Sequence, residues 1–139
     1  MEMEKLSGEG FLDSTRGKPS VRFTSTGLVE FNRAAITHLQ LCDKKTGYCV
    51  VNFCRDPKHP ADFGVFKDTE GWQLRRTTHD RCGFNNVGLS QHVIDATWNK
   101  GEGHPAGSVK PRSYTFGIAL LPLDDNKNKD VFALLRKKE

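Results

Sequence analysis

The sequence predicts a single α+β domain in which a mostly antiparallel sheet or barrel is combined with two short helices. Segments that alternate apolar and polar side chains recur along the chain, and this period of two is typical of strands. Two segments, FNRAAITHLQL from Phe31 and FNNVGLSQHVI from Phe84, instead space their apolar residues as a helix does. A chain of 139 residues is long enough to bury one core without a disulfide or a metal.

The first half begins with a predicted hairpin. VRFTST alternates from Val21, Thr26-Gly27 predicts a tight turn, and LVEF predicts the second strand. Asn32 then predicts a helix start, because an Asn side chain accepts a hydrogen bond from a free amide of the first turn. That helix is expected to end near Leu41. Further strands are predicted at YCVVNFC, DFGVF and WQLRRT, with RDPKHPAD as a loop after the first of these.

The second half repeats this order of elements. After the loop THDRC, a helix is predicted to start near Asn85–Asn86, and the strands YTFGIALLPL and VFALLRK follow it, joined by the polar turn DDNKNKD. Laid position on position, the two helix openings pair Asn32 with Asn85 and indicate a duplicated β-α-β-β unit. The alternative is chance, because a capped amphipathic helix between strands is common.

The limits of the domain follow from where these patterns start. Residues 1–19 hold glycines, a proline and several charges without a sustained period, and they are expected to form a flexible N-terminal arm. Residues 20–139 are expected to form the α+β domain, with halves at 20–78 and 79–139. The predicted core comprises Val21, Phe23, Val29, Phe31, Ile36, Leu39, Val51, Phe53, Leu89, Val93, Phe116, Ile118, Leu120 and Leu134.

Composition limits the class of protein. The hydrophobic fraction is 36% and the charged fraction 27%, which are ordinary values for a globular domain. No apolar run is long enough to span a membrane, and MEMEKLSGEG lacks the basic start and apolar stretch of a secretory signal, so a cytoplasmic protein without a membrane partner is expected. The four cysteines form no C-x-x-C pair and are interpreted as reduced, mostly buried thiols. Neither a metal nor a cofactor is expected.

Basic residues provide the main indication of function. The net charge is +4, and the excess of Lys and Arg lies in residues 71–139, where it can attract phosphate. RRTTHDR combines Arg forks with hydroxyls that can bond phosphate, and Trp72 and Phe84 flank it for stacking on a base. The alternative is a polar strand end at a sheet edge, where charges discourage pairing with another edge. The predicted nucleic-acid-binding residues are Arg75, Arg76, Arg81, Lys110 and Arg112.

Motifs of known catalytic types do not occur in the sequence. It contains no Walker loop, Rossmann fingerprint, G-x-S-x-G elbow or H-E-x-x-H helix, and GEGHPAG lacks the Lys-Ser/Thr of a phosphate loop. His79, Asp80 and Cys82 are close in sequence, but such neighbours rarely face one another in an extended segment. No catalytic residue is therefore assigned, and the protein is not expected to be an enzyme.

Residues 22–54 resemble the swapped-hairpin module of AbrB- and MazE-like transcription regulators. The shared order is a strand, a Gly turn, a second strand, a short helix and a further Gly before another strand, and it is represented by Gly27, Val29, Phe31, Leu39–Leu41 and Gly47. The sequence departs from the usual Pro, Gly and Asp of the family at Asn32, Gln40 and Tyr48. The resemblance implies DNA binding by Arg residues on a dimeric β surface. In a duplicated chain it implies that the second half replaces the partner subunit.

Two functions follow as hypotheses. The leading one is a non-enzymatic, regulatory nucleic-acid-binding module that uses a basic face, whose affinity should fall steeply with salt because bound Lys and Arg release counterions. The alternative is a protein-interaction or assembly module that joins sheet edges into a homo-oligomer and has no affinity for nucleic acid. A shared face for the five predicted residues would favour the first.

Overall fold

The computed structural model describes residues 18–78, 80–100, 104, 107–119 and 130–136. These residues form eleven strands and two helices. The strands are β1 (Ser20–Thr24), β2 (Leu28–Phe31), β3 (Cys42–Asp43), β4 (Gly47–Tyr48), β5 (Val50–Asp56), β6 (His59–Lys67), β7 (Trp72–Gln73), β8 (Arg75–Thr78), β9 (Arg81–Asn85), β10 (Ser113–Ile118) and β11 (Phe132–Arg136). The helices are α1 (Arg33–Leu39) and α2 (Val87–Lys100).

Nine of these strands form one antiparallel sheet, in the order β7-β5-β6-β11-β10-β1-β2-β9-β8. Its two end strands, β7 and β8, are consecutive in the chain and are separated only by Leu74. The two ends of the sheet therefore lie side by side, and the sheet is nearly closed. Strands β3 and β4 pair with each other in a separate two-stranded ribbon. The prediction of a mostly antiparallel sheet with two helices is confirmed.

The β1–β2 hairpin and α1 form as their local sequence predicts. Gly27 turns the chain with a φ of 102°, and its N–H donates to the carbonyl of Thr24 at 3.0 Å. Asn32 caps α1, because its Oδ1 accepts from the N–H of Ala35 at 2.9 Å. The helix ends at Leu39, two residues before the expected end, because Gln40 adopts the left-handed conformation that terminates helices.

Helix α2 starts near Asn85–Asn86 as expected, and its cap is Asn86, one residue after the Asn85 that aligns with Asn32. Asn85 is the last residue of β9, where it pairs with Leu28, and Asn86 supplies the Oδ1 that accepts from the N–H of Leu89 at 2.8 Å. The helix then continues through 14 residues, so it is not the short helix expected. Its Ser90 hydroxyl donates to the carbonyl of Thr24 at 2.5 Å and anchors its first turn to the β1–β2 hairpin.

Two predicted loops are tighter than expected. RDPKHPAD is mostly strand, because β5 and β6 are joined by a turn at Pro57–Lys58 in which Asp56 Oδ1 accepts from the N–H of Lys58 at 2.9 Å. Three residues of the predicted loop THDRC are strand residues, because Thr78 ends β8, Arg81 and Cys82 begin β9, and Thr78 pairs with Arg81. The predicted turn DDNKNKD lies almost wholly outside the described residues, which include only its last residue, Asp130.

One hydrophobic cluster combines inward side chains of the sheet with both helices. The predicted core residues that are buried are Val21, Phe23, Val29, Phe31, Leu39, Val51, Val93, Phe116, Ile118 and Leu134. Ile36, Phe53 and Leu89 are half-buried against this cluster, and Leu120 lies outside the described residues. The core also contains buried residues that were not predicted from the sequence, among them Leu41, Phe63, Val65, Leu74, Cys82, Phe84 and Ile94.

Two general expectations concern membranes and thiols. Over the parts of the chain that the structure describes, no helix is long and apolar enough to cross a bilayer. All four cysteines are free, but Cys42 and Cys54 are exposed and only Cys82 is fully buried, so the expectation of mostly buried thiols was wrong. Within the same parts, no group of three or more His, Cys, Asp or Glu side chains is arranged to hold a metal ion.

Candidate nucleic-acid interface

The β8–β9 hairpin holds three of the five predicted basic residues. Arg75 pairs with Gly83 and Arg76 with Cys82, and after an irregularity in the register Thr78 pairs with Arg81. Arg75 and Arg76 are exposed on β8, which is an end strand of the sheet. This strand therefore presents two guanidinium groups at the place where the two ends of the sheet meet.

The β3–β4 ribbon adds two further cations that the sequence analysis did not select. Lys44 and Lys45 form its turn, and Asp43 Oδ1 fixes the turn by accepting from the N–H groups of Lys45 at 2.6 Å and Thr46 at 3.4 Å. The base of the ribbon is closed by a hydrogen bond from the N–H of Cys49 to the carbonyl of Leu41 at 2.9 Å. Both lysines are exposed.

The ribbon is attached to the two residues that directly precede β8, Gln73 of β7 and Leu74. Gln73 Nε2 donates to the carbonyl of Tyr48 at 2.7 Å, and the N–H of Leu74 donates to the carbonyl of Cys49 at 3.1 Å. Arg76 also affects the phenol of Tyr48. Burial raises the pKa of Tyr48, and the Cys42 and Cys82 thiols raise it further, whereas the positive charge of Arg76 lowers it.

Four exposed cations therefore belong to the ribbon and to β8, which adjoin at Gln73 and Leu74, and Arg76 is the arginine on the side of Tyr48 while Arg75 points to the other face of the strand. The turn of the ribbon is only two residues beyond Tyr48, which corresponds to about 7 Å of strand. We call this group the ribbon surface, and it consists of Lys44, Lys45, Arg75 and Arg76. The sequence signal for the lysines is the turn-like DKKTG, which does not distinguish the turn of a ribbon from the exit of α1, where the helix dipole also favours positive charge.

Arg81 faces a buried carboxylate rather than the ribbon. Its Nη1 lies 3.4 Å from Oε1 of Glu30, which also accepts from Nη2 of Arg22 at 3.2 Å. The second oxygen of Glu30 accepts from the hydroxyl of Thr77 at 2.7 Å. Glu30 is only 5% exposed, so hydrogen bonds from these three partners replace most of the water that its carboxylate would otherwise bind.

The structure does not bring Lys110 and Arg112 together with the hairpin arginines. Lys110 Nζ lies 2.5 Å from Oδ1 of Asp95 on α2. Arg112 is exposed just before β10, and its carbonyl accepts from the N–H of Ser25 at the β1–β2 turn at 2.7 Å. Since β10 is three places from β9 in the sheet, about 14 Å separates them across the strands, and the β1–β2 turn is at the opposite end from Arg81.

Two other predicted features have structural roles. The ring of Trp72 stacks on that of Phe84, with centroids 5.3 Å apart, and Phe84 is buried, so Phe84 is not available for stacking on a base. Cys82 is fully buried, and burial raises the pKa of its thiol to about 12, so it is a protonated core residue at neutral pH. Asp80, two residues before Cys82 in sequence, is half-buried, and His79 lies outside the described residues.

Comparisons with known proteins add no identity to this geometry. No family model matches the chain, and no curated protein or solved structure matches it either. The resemblance of residues 22–54 to AbrB- and MazE-like regulators therefore stays a prediction. Function has to be inferred from the residues of this chain.

Proposed function

We propose that the protein is a non-enzymatic nucleic-acid-binding module that holds the phosphate backbone with the ribbon surface. One observation supports this most: the ribbon is hydrogen-bonded at Gln73 and Leu74, directly before β8, so that the element bearing Lys44 and Lys45 adjoins the strand bearing Arg75 and Arg76 although some thirty residues separate the two pairs in sequence. Exposed Arg and Lys gathered on one element are the usual electrostatic basis of phosphate binding.

Three cations of the ribbon surface, Lys44, Lys45 and Arg75, are available to a ligand. Ion pairs among the described residues engage Arg22, Arg81, Lys100 and Lys110, whereas Lys44, Lys45 and Arg75 lie in none of them. The nearest carboxylate in sequence is that of Asp43, and its Oδ1 already accepts two backbone N–H groups of the ribbon turn. A phosphate group would therefore not have to displace a protein carboxylate from these three cations.

The shape of the ribbon suits a grooved ligand. The major groove of B-DNA, about 12 Å wide, admits a two-stranded β ribbon. The Lys44–Lys45 turn would enter first, and the arginines at its base would reach phosphates of the groove edge, where planar guanidinium forks bond two oxygens at once. Sequence preference is not part of the proposal, because lysine contacts to phosphate position a protein without reading bases.

We further propose that the two halves are a duplicated unit, as the sequence echo and the family resemblance imply. Each half would consist of a hairpin, an Asn-capped helix and a second hairpin: β1-β2-α1-β5-β6 and β7/β8-β9-α2-β10-β11. Exchanging these two sets of strands leaves the order around the nearly closed sheet unchanged, which supports a two-fold relationship. The boundary would then lie between Lys67 and Trp72, seven to eleven residues before the expected 78/79 boundary.

The alternative function, assembly through sheet edges, has less support from the geometry. The two ends of the sheet meet at Leu74, so few unpaired backbone groups remain for another chain. The free side of β8 is the main edge left, and its two arginines oppose edge-to-edge pairing with a like strand. Light scattering across a range of protein concentrations, with and without nucleic acid, separates the two functions.

Fluorescence anisotropy with labelled duplex and single-stranded oligonucleotides tests the proposal. Four phosphate contacts predict a slope of log affinity against log salt of about −3.6 for duplex DNA. The double variant Arg75→Ala with Arg76→Ala should weaken binding at least about tenfold at low salt and make the slope shallower by about 1.8. Lys44→Ala with Lys45→Ala should do the same.

Arg55→Ala with Lys58→Ala is the matched control, because it removes two exposed cations from the β5–β6 hairpin and leaves the ribbon surface intact. Its slope should stay within error of the native one. Equal weakening by the control would show that only net charge matters, and an absence of binding at low salt would exclude the proposed function.

A further inference from the structure

A second polar site lies on the outer face of β1, β2 and β9, away from the ribbon. It is a cleft of about 160 Å³, and we call it the Glu30 cleft. Its lining side chains come from four neighbouring strands and from the cap of α1: Ser20, Arg22, Glu30, Asn32, Arg81 and Thr115. None of these residues belongs to the ribbon surface.

Glu30 organises the two arginines of the cleft. Its Oε1 accepts from both guanidinium groups, at 3.2 Å from Arg22 and 3.4 Å from Arg81, while its Oε2 accepts from Thr77. Such a buried carboxylate holds two flexible cations in one geometry, as a partner behind a binding group commonly does. The side chains of Arg22 and Arg81 remain 42% and 43% exposed, so part of each fork still faces solvent.

The cleft has more donors than the protein uses. Two guanidiniums face one carboxylate, which leaves a net charge of +1. Arg22 Nε is buried and has no hydrogen-bond partner, and a buried donor in that state is costly. The hydroxyls of Ser20 and Thr115 also make no hydrogen bond within the described part of the chain, and both line the cleft.

Its size limits what this donor set can hold. Clefts that bury drug-sized ligands usually measure about 300 to 1,000 Å³, so a cleft of about 160 Å³ is suited to a small group with a few waters. The group must accept hydrogen bonds from planar forks and hydroxyls and bear negative charge. Phosphate combines these properties, with several acceptor oxygens and up to two negative charges.

We infer that the Glu30 cleft binds a phosphate group, with Arg22 and Arg81 bonding its oxygens and Ser20 and Thr115 adding hydroxyl donors. Glu30 is a positioning residue, since its carboxylate orients both guanidinium forks through its bonds to them. The ligand is either inorganic phosphate or the terminal phosphate of a nucleic-acid strand, and these share the chemistry that the cleft recognises.

The direct test is an NMR titration of the full chain with inorganic phosphate at constant ionic strength. The Arg22 and Arg81 Nε–H signals should shift and saturate with a dissociation constant on the order of 1 mM or tighter. Chloride or perchlorate added to the same ionic strength should produce no saturating shift. Shifts that rise without saturation, or that are equal for the three anions, would overturn the inference.

Variants connect the binding to the residues. Arg22→Lys keeps the charge but removes the fork, and Thr115→Val removes one exposed hydroxyl without altering the core. The first should weaken phosphate binding at least about tenfold and the second severalfold, with the remaining amide spectrum unchanged. Unaltered affinity in both would contradict the assignment, and Thr115→Val remains informative if Arg22→Lys does not fold.

A final comparison identifies the source of the phosphate and separates this inference from the proposed function. The cleft binds strand ends if a 5′-phosphorylated oligonucleotide binds more tightly than its 5′-hydroxyl counterpart. The Arg22→Lys variant should then remove this difference in affinity. Equal binding of the two, with saturable inorganic phosphate, assigns it to the free ion. The Arg75→Ala, Arg76→Ala variant should leave the inorganic phosphate titration unchanged, so either proposal can fail without the other.

Discussion

Gly83 shows how a single residue can set the fit between two strands. A Cβ at this position would overlap the carbonyl oxygen of Val29 and lie 3.0 Å from the Cα of Glu30. Both neighbours are backbone atoms of β2, so they cannot rotate away as a flexible side chain would. The close approach of β9 to β2, which also places Arg81 beside Glu30, therefore requires glycine here.

Gly83→Ala should lower the free energy of unfolding by about 3 kcal/mol or more, because either the strand pair or the backbone must shift. Gly117→Ala in β10 is the matched control, since its Cβ would meet only Leu135 O at an ordinary 3.7 Å. Its cost should stay within about 1 kcal/mol. Urea denaturation of both variants measures the difference, and similar midpoints would contradict the packing described.

The two Asn side chains that cap the helices differ in the number of hydrogen bonds that they make. Asn86 Oδ1 accepts only one described hydrogen bond, from Leu89, whereas Asn32 Oδ1 accepts from Ala35 and also from the N–H of Ser20 at 3.0 Å. Asn32 Nδ2 in addition donates to the carbonyl of Lys18 at 2.8 Å. Asn32 thus joins the start of α1 to the start of β1.

We therefore expect Asn32→Ala to destabilise the protein by about 2 to 3 kcal/mol and Asn86→Ala by about 1 kcal/mol, since loss of a simple cap typically costs about 1. Thermal and urea unfolding of the two variants provide the comparison. A larger loss for Asn86→Ala would mean that the bonds of Asn32 to β1 contribute little.

At the scale of elements, β9 has two faces with different chemistry. Arg81 points outward to Glu30, whereas Cys82 and Phe84 are buried. Burial holds the pKa of the Cys82 thiol at about 12, against 9.0 for an ordinary cysteine thiol. The folded chain therefore keeps this proton at pH values where the unfolded chain loses it, and the resulting stability is present below about pH 9 and is lost as pH rises toward about 12.

Cys82→Ala should consequently flatten the fall in unfolding free energy between about pH 8 and about pH 10.5, although it lowers stability at pH 8 through lost packing. Cys42→Ala is the control, because Cys42 is exposed on the ribbon. Urea titrations at several pH values give the slopes. Parallel slopes for the native chain and Cys82→Ala would contradict the buried thiol.

The elements also show which parts of the fold the sequence could predict. The β1–β2 hairpin and α1 were predictable because Gly27 and Asn32 determine them locally. The ribbon was not, because two strands of two residues are too short to show a period of two. Lys44 and Lys45 were consequently not among the basic residues selected from the sequence. Arg81 was predicted to bind nucleic acid with Arg75 and Arg76, and its contact with Glu30 was not predictable because the two residues are 51 positions apart in sequence.

At the scale of the whole molecule, Leu74 connects the two ends of the sheet. It is almost fully buried between β7 and β8, and no local pattern in WQLRRT distinguishes it as the closing residue, because strand order depends on contacts distant in sequence. The sequence therefore predicted an antiparallel sheet or barrel without deciding between an open and a nearly closed one.

Leu74→Ala should lower the free energy of unfolding by about 3 kcal/mol, within the range for buried leucines that leave a cavity. Leu135→Ala is the matched control, because Leu135 is 54% exposed on β11, and it should cost less than about 1 kcal/mol. Denaturant titration compares the two. Equal losses would mean that the closing residue is not packed as described.

The closure of the sheet also determines which junction between strands can open locally. β7 is joined to β5 by only two residue pairs, Val50 with Gln73 and Val51 with Trp72, as few as join β11 to β6 among the described strands. The ribbon is bonded to the same junction through Gln73 and Leu74. A strand of nucleic acid bound to both the lysines and the arginines would hold the β5–β7 junction closed. Protection of the Leu74 amide from solvent exchange would therefore increase as more of the ribbon surface is occupied by nucleic acid.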